Sequence, residues 1–390
     1  MIWGPFDRSL KQNPYPHYDQ QMQERSLFVA PSNIVFSLDY QSVKYILNNE
    51  DDFRSTPPAR GGKYTLPGFD RLMEQCLLTT DGQKQQQNRS FMADYFNLSE
   101  AEKSTETSTL SILDRLGDRP FDLIQELVQP VVAGTLMEIL GIAPENRARA
   151  IEWSGRLLRS VDIFVTSKKY LEMEKASLAF ESFVHRSIED QTCGEFLEHV
   201  FNGLSEQEST TEALSKTASY TATLLFTGIN TAVGLIGNIV HELLSKPKLG
   251  EEFQNMNSRQ GEISSRALEE LIRLCPSVHF TFRFASKATD IEDLHVKKDQ
   301  IIALCLASAN RDARVFEDPH RYLFDRNPNP HLSFGTGRHY CFGAKLARMQ
   351  VKTVLSCLID RLPNLQLSAE PTYMNYNFVR APESLMIKAI

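Results

Sequence analysis

A chain of 390 residues, 42% hydrophobic and 23% charged, is long enough to bury a large core and too apolar to stay disordered. Its net charge of −7, with no basic tail or charge block, argues against nucleic acid or an anionic membrane surface as a partner. Six scattered cysteines without CxxC spacing predict a reduced, cytoplasmic setting, and Pro5 and Pro14 interrupt any apolar run at the start, so neither signal peptide nor membrane anchor is expected.

Residues 27–38 read as two short strands about a Pro-Ser-Asn turn, followed by a helix from Tyr40 to Asn48. Residues 55–68, dense in Pro and Gly, read as a loop. A helix is expected after Asp81-Gly82, with Gln85 and Arg89 four apart on one face. From 100 to 205 the apolar spacing predicts helices at about 105–116, 121–141, 146–164, 168–189 and 194–202. Residues 209–245 hold helical periodicity for longer than a typical globular helix, until Pro247.

Within that helix, Gly228 costs about 1 kcal/mol against Ala, which calls for a packing or ligand reason. Arg266 to Pro276 is a further helix, ended by its proline, with Glu270 and Arg273 on one face as a candidate ion pair. Ser277 to Phe284 alternates like a strand, and residues 371–379 with 384–388 suggest a terminal hairpin.

The most informative stretch is Phe334-Gly-Thr-Gly-Arg-His-Tyr-Cys-Phe-Gly343, followed by a helical run from Ala344 to Ile359. Cys341 thus stands at a helix N-terminus, where unpaired N–H groups and the positive dipole end favour a thiolate. Gly337 and Gly343 are expected to allow tight turns and close approach of the backbone to a flat ligand. A cysteine in such surroundings is also compatible with a plain structural thiol.

Phe334, Gly337, Cys341 and Gly343 match the pattern Phe-x-x-Gly-x-x-x-Cys-x-Gly, and here the chain resembles the cytochrome P450 family. The resemblance implies one domain over residues 1–390, a mainly α fold with small β-sheets, and one haem b whose iron is bound by Cys341. It implies that Arg89, Arg283 and His339 hold the haem propionates, with Gln85 where the family has a His. It also implies that Glu270, Arg273 and Arg326 support the cysteine loop, and that Gly228, Asn230 and Thr231 form the oxygen-side motif. There Asn230 replaces the usual acid, and an amide orients water but delivers no proton at neutral pH. Leu157 to Phe164 would form a movable lid, and Leu157, Phe164, Phe226, Thr227, Val278, Phe280 and Phe378 would wall the substrate pocket.

The implied activity is oxygen-dependent oxidation of a small-molecule or carrier-tethered substrate, in secondary-metabolite biosynthesis. Electrons would come from a separate ferredoxin with its reductase, or from a flavodoxin, docking on Arg338, Lys345 and Arg348. Two alternatives stay open: atypical chemistry such as coupling, desaturation, peroxide-driven oxidation or isomerisation, and a haem sensor or carrier without turnover.

Overall fold

The computed structural model describes residues 8–58, 66–93, 98–162, 165–260, 262–361 and 364–389. Helices dominate and the sheets are small. The chain divides into two compact units, one formed by residues 1–53, 102–131 and 231–390, the other by residues 54–101 and 132–230.

In the first unit, Leu27–Val29 pairs antiparallel with Val35–Ser37, which lies parallel to Ile301–Cys305. Phe280–Ala285 runs antiparallel to Ile301–Cys305 on its other side, and the short strand beginning at Phe53 completes a five-stranded sheet. The helix Tyr40–Asn48 packs its apolar stripe, Val43, Ile46 and Leu47, into a core with Leu27, Val35, Ile302, Leu304 and Phe316. That helix starts where expected because the Asp39 side chain accepts from the Ser42 N–H at 2.9 Å, satisfying one of the free donors of its first turn. Ser264 does the same for the helix Ser265–Leu274, through the Ala267 N–H at 3.1 Å.

The expected helix over 121–141 is not one element. Phe121–Asp122 is a strand paired with Met386–Ala389, a π-helical turn covers Leu123–Val128, and the α-helix occupies Gln129–Ile139. The cause lies outside the segment: Asp122 Oδ1 accepts from Ile124 N–H and from Leu385 N–H, so strand pairing with the C-terminus overrides local helical spacing. The terminal hairpin is likewise corrected. Thr372–Tyr373 pairs with Pro382–Ser384, whereas Met386–Ala389 pairs with Phe121–Asp122 and Leu365–Leu367. Pro247 does end the long helix, but it also opens a second helix, Pro247–Gln260, which the sequence reading missed; a first-turn proline lacks only an N–H that would be unpaired there anyway.

In the second unit, the helices Pro67–Glu74, Gly82–Ala93, Arg147–Leu157, Ser167–Glu189 and Glu195–Ser205 replace the sheet. The expected helix over 146–164 ends at Leu157 and passes into a 3-10 turn at Leu158–Val161. Half of the expected 55–68 loop, residues 59–65, and residue Phe164 lie outside the described residues.

The long helix, Thr210–Ser245, begins in the second unit and enters the first at Thr231. By length and apolar character it would cross a membrane, but 83% of its most apolar window is buried inside the protein, as in a core helix. Every residue from Thr217 to Val240 is buried except Thr227, Gly228 and Thr231. Positions i, i+1 and i+4 share one face, so the middle of the helix opens on that face alone.

Candidate active site

The cysteine loop belongs wholly to the first unit and is held from within. Glu270 is completely buried and its carboxylate receives six hydrogen bonds. Arg273 donates at 2.7 and 2.8 Å, Arg326 Nε at 3.1 Å to each oxygen, the Leu323 N–H at 2.9 Å and Asn329 Nδ2 at 3.1 Å. Burial alone would raise the Glu270 pKa; the donors win, and it is lowered. Arg273, also fully buried, uses its remaining N–H groups on the carbonyls of Asn310, Pro319 and Arg321. The expected grouping of Glu270, Arg273 and Arg326 is therefore present. Its effect is to freeze the irregular segment leading to residue 334, since an unpaired charge at any corner would be buried.

Asn310 carries that order into the loop: its Oδ1 accepts from the Leu332 N–H at 2.6 Å and its Nδ2 donates to Ser333 Oγ at 2.8 Å. The Cys341 N–H then donates to the Phe334 carbonyl at 2.9 Å. Gly337 adopts φ +73, and a Cβ there would lie 2.9 Å from both Asn48 Oδ1 and the Leu47 carbonyl, so both its turn and its close packing require glycine.

Gly343 departs from the expected tight turn. It caps the helix Ala344–Leu358 with φ −82, a conformation open to any residue, and a Cβ would meet nothing within 4 Å. Its lack of a side chain leaves open space beside Cys341. Of the six cysteines only Cys341 is exposed; burial pushes the Cys275 and Cys305 thiols up to about 12 and Cys357 to about 11. One accessible cysteine at a helix start is the soft donor that haem iron takes, and open space with cations nearby suits a flat, dianionic macrocycle. Arg283 is nearly buried, with Nη1 donating to the Phe282 carbonyl at 2.8 Å, and His339 is half-buried two residues before Cys341. In the second unit Gln85, 1% exposed, and Arg89, half-buried, follow each other by one turn on the helix Gly82–Ala93. The residues present fit haem.

The docking cations are largely committed elsewhere. Arg338 Nε lies 3.0 Å from Glu50, and Arg348 forms a two-pronged pair with Glu269 at 2.7 and 2.8 Å; Lys345 is exposed. Glu269 also accepts from His331 Nε2 at 2.9 Å. Burial would raise its pKa, but the bonds from Arg348 and His331 hold it down at about 2. Lowered from an ordinary 4.5 to about 2 in the folded protein, its contribution is present above pH 4.5 and lost as the pH falls towards 2. That contribution is on the order of 2 kcal/mol. Between roughly pH 5 and pH 3, chemical denaturation should therefore show a larger stability loss in the wild type than in Glu269→Gln.

On the long helix, Gly228 has a packing reason: a Cβ would lie 2.8 Å from Leu136 Cδ2. Thr227 and Thr231 stand on the open face with it. Asn230 does not. It is 7% exposed, and its Nδ2 donates to Ser154 Oγ at 3.2 Å, while the Ser154 hydroxyl donates to the Leu225 carbonyl at 3.2 Å. The residue at the acid position is thus tied to the helix Arg147–Leu157, a contact that no spacing in the sequence announced.

Of the expected pocket residues, Leu157 and Phe226 are fully buried in the second unit. Phe280 packs edge-on against Tyr18 and Phe36 in the sheet core, at 5.8 and 6.1 Å, which makes it a core residue instead of a pocket wall. Val278 is half-buried and bridges to Val379, and Phe378 lies against Tyr376.

This combination of a mainly helical fold, a wholly buried Glu-x-x-Arg network and one exposed cysteine on a glycine-bearing loop defines a haem-thiolate protein. The family model for cytochrome P450 matches residues 182–389, and the chain belongs to the cytochrome P450 family. It is 30% identical to cytochrome P450 119 of Sulfurisphaera tokodaii, over 86% of this chain and 89% of that one. It is 29% identical to the biotin biosynthesis cytochrome P450 of Bacillus subtilis, over 66% of this chain and 64% of that one. Its fold matches the crystal structure of P450BioI in complex with a hexadec-9Z-enoic acid ligated acyl carrier protein at a TM-score of 0.86, with 22% identity, 98% of this chain and 99% of that chain covered. Haem b is the cofactor of this family of monooxygenases.

Proposed function

We propose that this protein is a monooxygenase that binds haem b through Cys341 and hydroxylates or epoxidises a small organic molecule. The observation that carries this reading is the exposed Cys341 on a loop pinned by the buried Glu270–Arg273–Arg326 network. When bound, haem supplies the activation of oxygen. Cys341 Sγ would hold the haem iron. Arg283 and His339, with Arg89 and Gln85, would hold the propionates by charge-assisted and amide hydrogen bonds, which would position the cofactor and neutralise it as it is buried. Thr227, Gly228 and Thr231 would form the oxygen side, where the Thr231 hydroxyl would orient a water for proton delivery. Electrons come from a separate ferredoxin and its reductase, or a flavodoxin. Arg338 and Arg348 are paired with Glu50 and Glu269, and the exposed Lys345 is the contact offered to that donor.

The acyl-carrier complex of the structural relative and the biotin-biosynthesis relative support a biosynthetic substrate, free or carrier-tethered, and a cytoplasmic setting. Alignment with cytochrome P450 119 over 86% of the chain supports reading residues 1–390 as one domain. The test of function is turnover of candidate acyl substrates with a ferredoxin system, after optical titration of the ferric protein. Product formation is expected. Ligand binding without product would favour a sensor.

The Asn230–Ser154 bond favours a second reading, atypical chemistry with little demand for protons. Asn230→Asp separates the two. For a monooxygenase short of an acid, it should give the same product and raise the share of electrons recovered in product, read as the ratio of product to hydrogen peroxide. A changed product would favour atypical chemistry.

A further inference from the structure

Arg348 was expected to face a redox partner, yet each of its three guanidinium nitrogens donates a hydrogen bond inside the first unit. Nε and Nη2 engage the two oxygens of Glu269, Nη1 donates to the Tyr340 hydroxyl at 3.0 Å, and the guanidinium carbon stands 4.4 Å from the centroid of the Phe334 ring. The Phe334 ring also lies edge-on to Tyr340, with centroids 6.5 Å apart. These are the two ends of the cysteine loop. Phe334 supplies the carbonyl that accepts from the Cys341 N–H, and Tyr340 immediately precedes the cysteine. Glu269 is in turn oriented by His331, whose Nδ1 accepts from the Ser333 N–H at 3.3 Å, leaving Nε2 to donate to the carboxylate. Glu269 and Glu270 are neighbours on one helix, so a single helix anchors both the segment before the loop and, through Arg348, the loop itself.

We propose that Arg348, oriented by Glu269 and His331, is the positioning residue that clamps both ends of the cysteine loop and so sets the geometry of the Cys341 sulfur towards haem iron. This rests on Cys341 being the axial ligand. The planar fork is essential to the role. Three donors in one plane and a stacking face are what Arg offers and Lys does not. Flanking groups of this kind tune an axial ligand by fixing its orientation.

The test uses the haem-loaded protein and its ferrous carbon monoxide spectrum, with the reduction potential of the ferric form measured alongside. The variants are Arg348→Gln, Arg348→Lys, Glu269→Gln and Tyr340→Phe. A control, Lys352→Gln, breaks the pair of Lys352 with Glu262 at 3.1 Å on the same helix. The expected result is a rise in the thiol-type Soret band at the expense of the thiolate-type band, and a shift in potential, in Arg348→Gln and Arg348→Lys alike. Tyr340→Phe, which removes one exposed bond and leaves the fold intact, should shift the same way by less, and the control should match the wild type. Wild-type spectra and potentials in folded Arg348→Gln, or in Tyr340→Phe should Arg348→Gln not fold, overturn the proposal, as does full rescue by Arg348→Lys, which would reduce the role to charge. A wild-type protein without any thiolate-type band overturns the assignment of Cys341, and this inference with it.

Discussion

Glu270→Ala is expected to be the most destabilising single substitution in the protein. It removes the acceptor for six hydrogen bonds and leaves Arg273, fully buried, and Arg326, nearly so, without their counter-charge. Breaking a buried pair from one side costs about 3–5 kcal/mol, because the orphaned charge stays in a low-dielectric interior. Against a total stability of roughly 5–15 kcal/mol, that is a large share. Denaturant unfolding followed by circular dichroism should show a midpoint far below that of the wild type. Haem retention should fall as well, since the Leu323 and Asn329 contacts order the segment that leads to Cys341. Removing all three charges together with apolar replacements should cost less than the single change. A Glu270→Ala protein as stable as the wild type would show that the network is ornamental.

Cys341→Ser is expected to have the second largest effect, on chemistry instead of folding. The Cys341 N–H bond to the Phe334 carbonyl is a backbone contact, so the loop survives the exchange. The side chain is exposed, so little packing is lost. The hydroxyl oxygen, however, is not deprotonated at neutral pH and donates far less electron density than a thiolate, which is what favours O–O cleavage in this class. The variant should fold with near-native stability, lose the thiolate-type Soret band of its ferrous carbon monoxide complex, and drop to background turnover. Retention of that band would move the axial ligand to another residue. The other five cysteines are poor candidates, since burial holds all five thiols above the ordinary range.

The sequence by itself determined the class of protein and most of its helical frame. Short-range signals sufficed for this: the turn at Asp81-Gly82 before a helix, periodic apolar residues through Thr210–Ser245, and the spacing of Glu270 to Arg273 and of Phe334 to Cys341. Each depends on atoms within a turn or two of one another, or on a pattern of residue types, both of which a linear reading preserves. Only the tertiary structure decided what depends on partners far along the chain. Phe121–Asp122 became a strand because Met386 and Ile387 lie beside it, Phe280 became core because Tyr18 and Phe36 surround it, and Asn230 is tied to the helix Arg147–Leu157 because Ser154 meets it. Arg348 is the clearest instance. Read linearly it is a cation near a cysteine, with a solvated docking role; in space Glu269, seventy-nine positions away, takes its charge and Phe334 takes its face. Long-range contacts of this kind carry no periodic trace in the sequence, because they are fixed by how elements pack and not by what forms them.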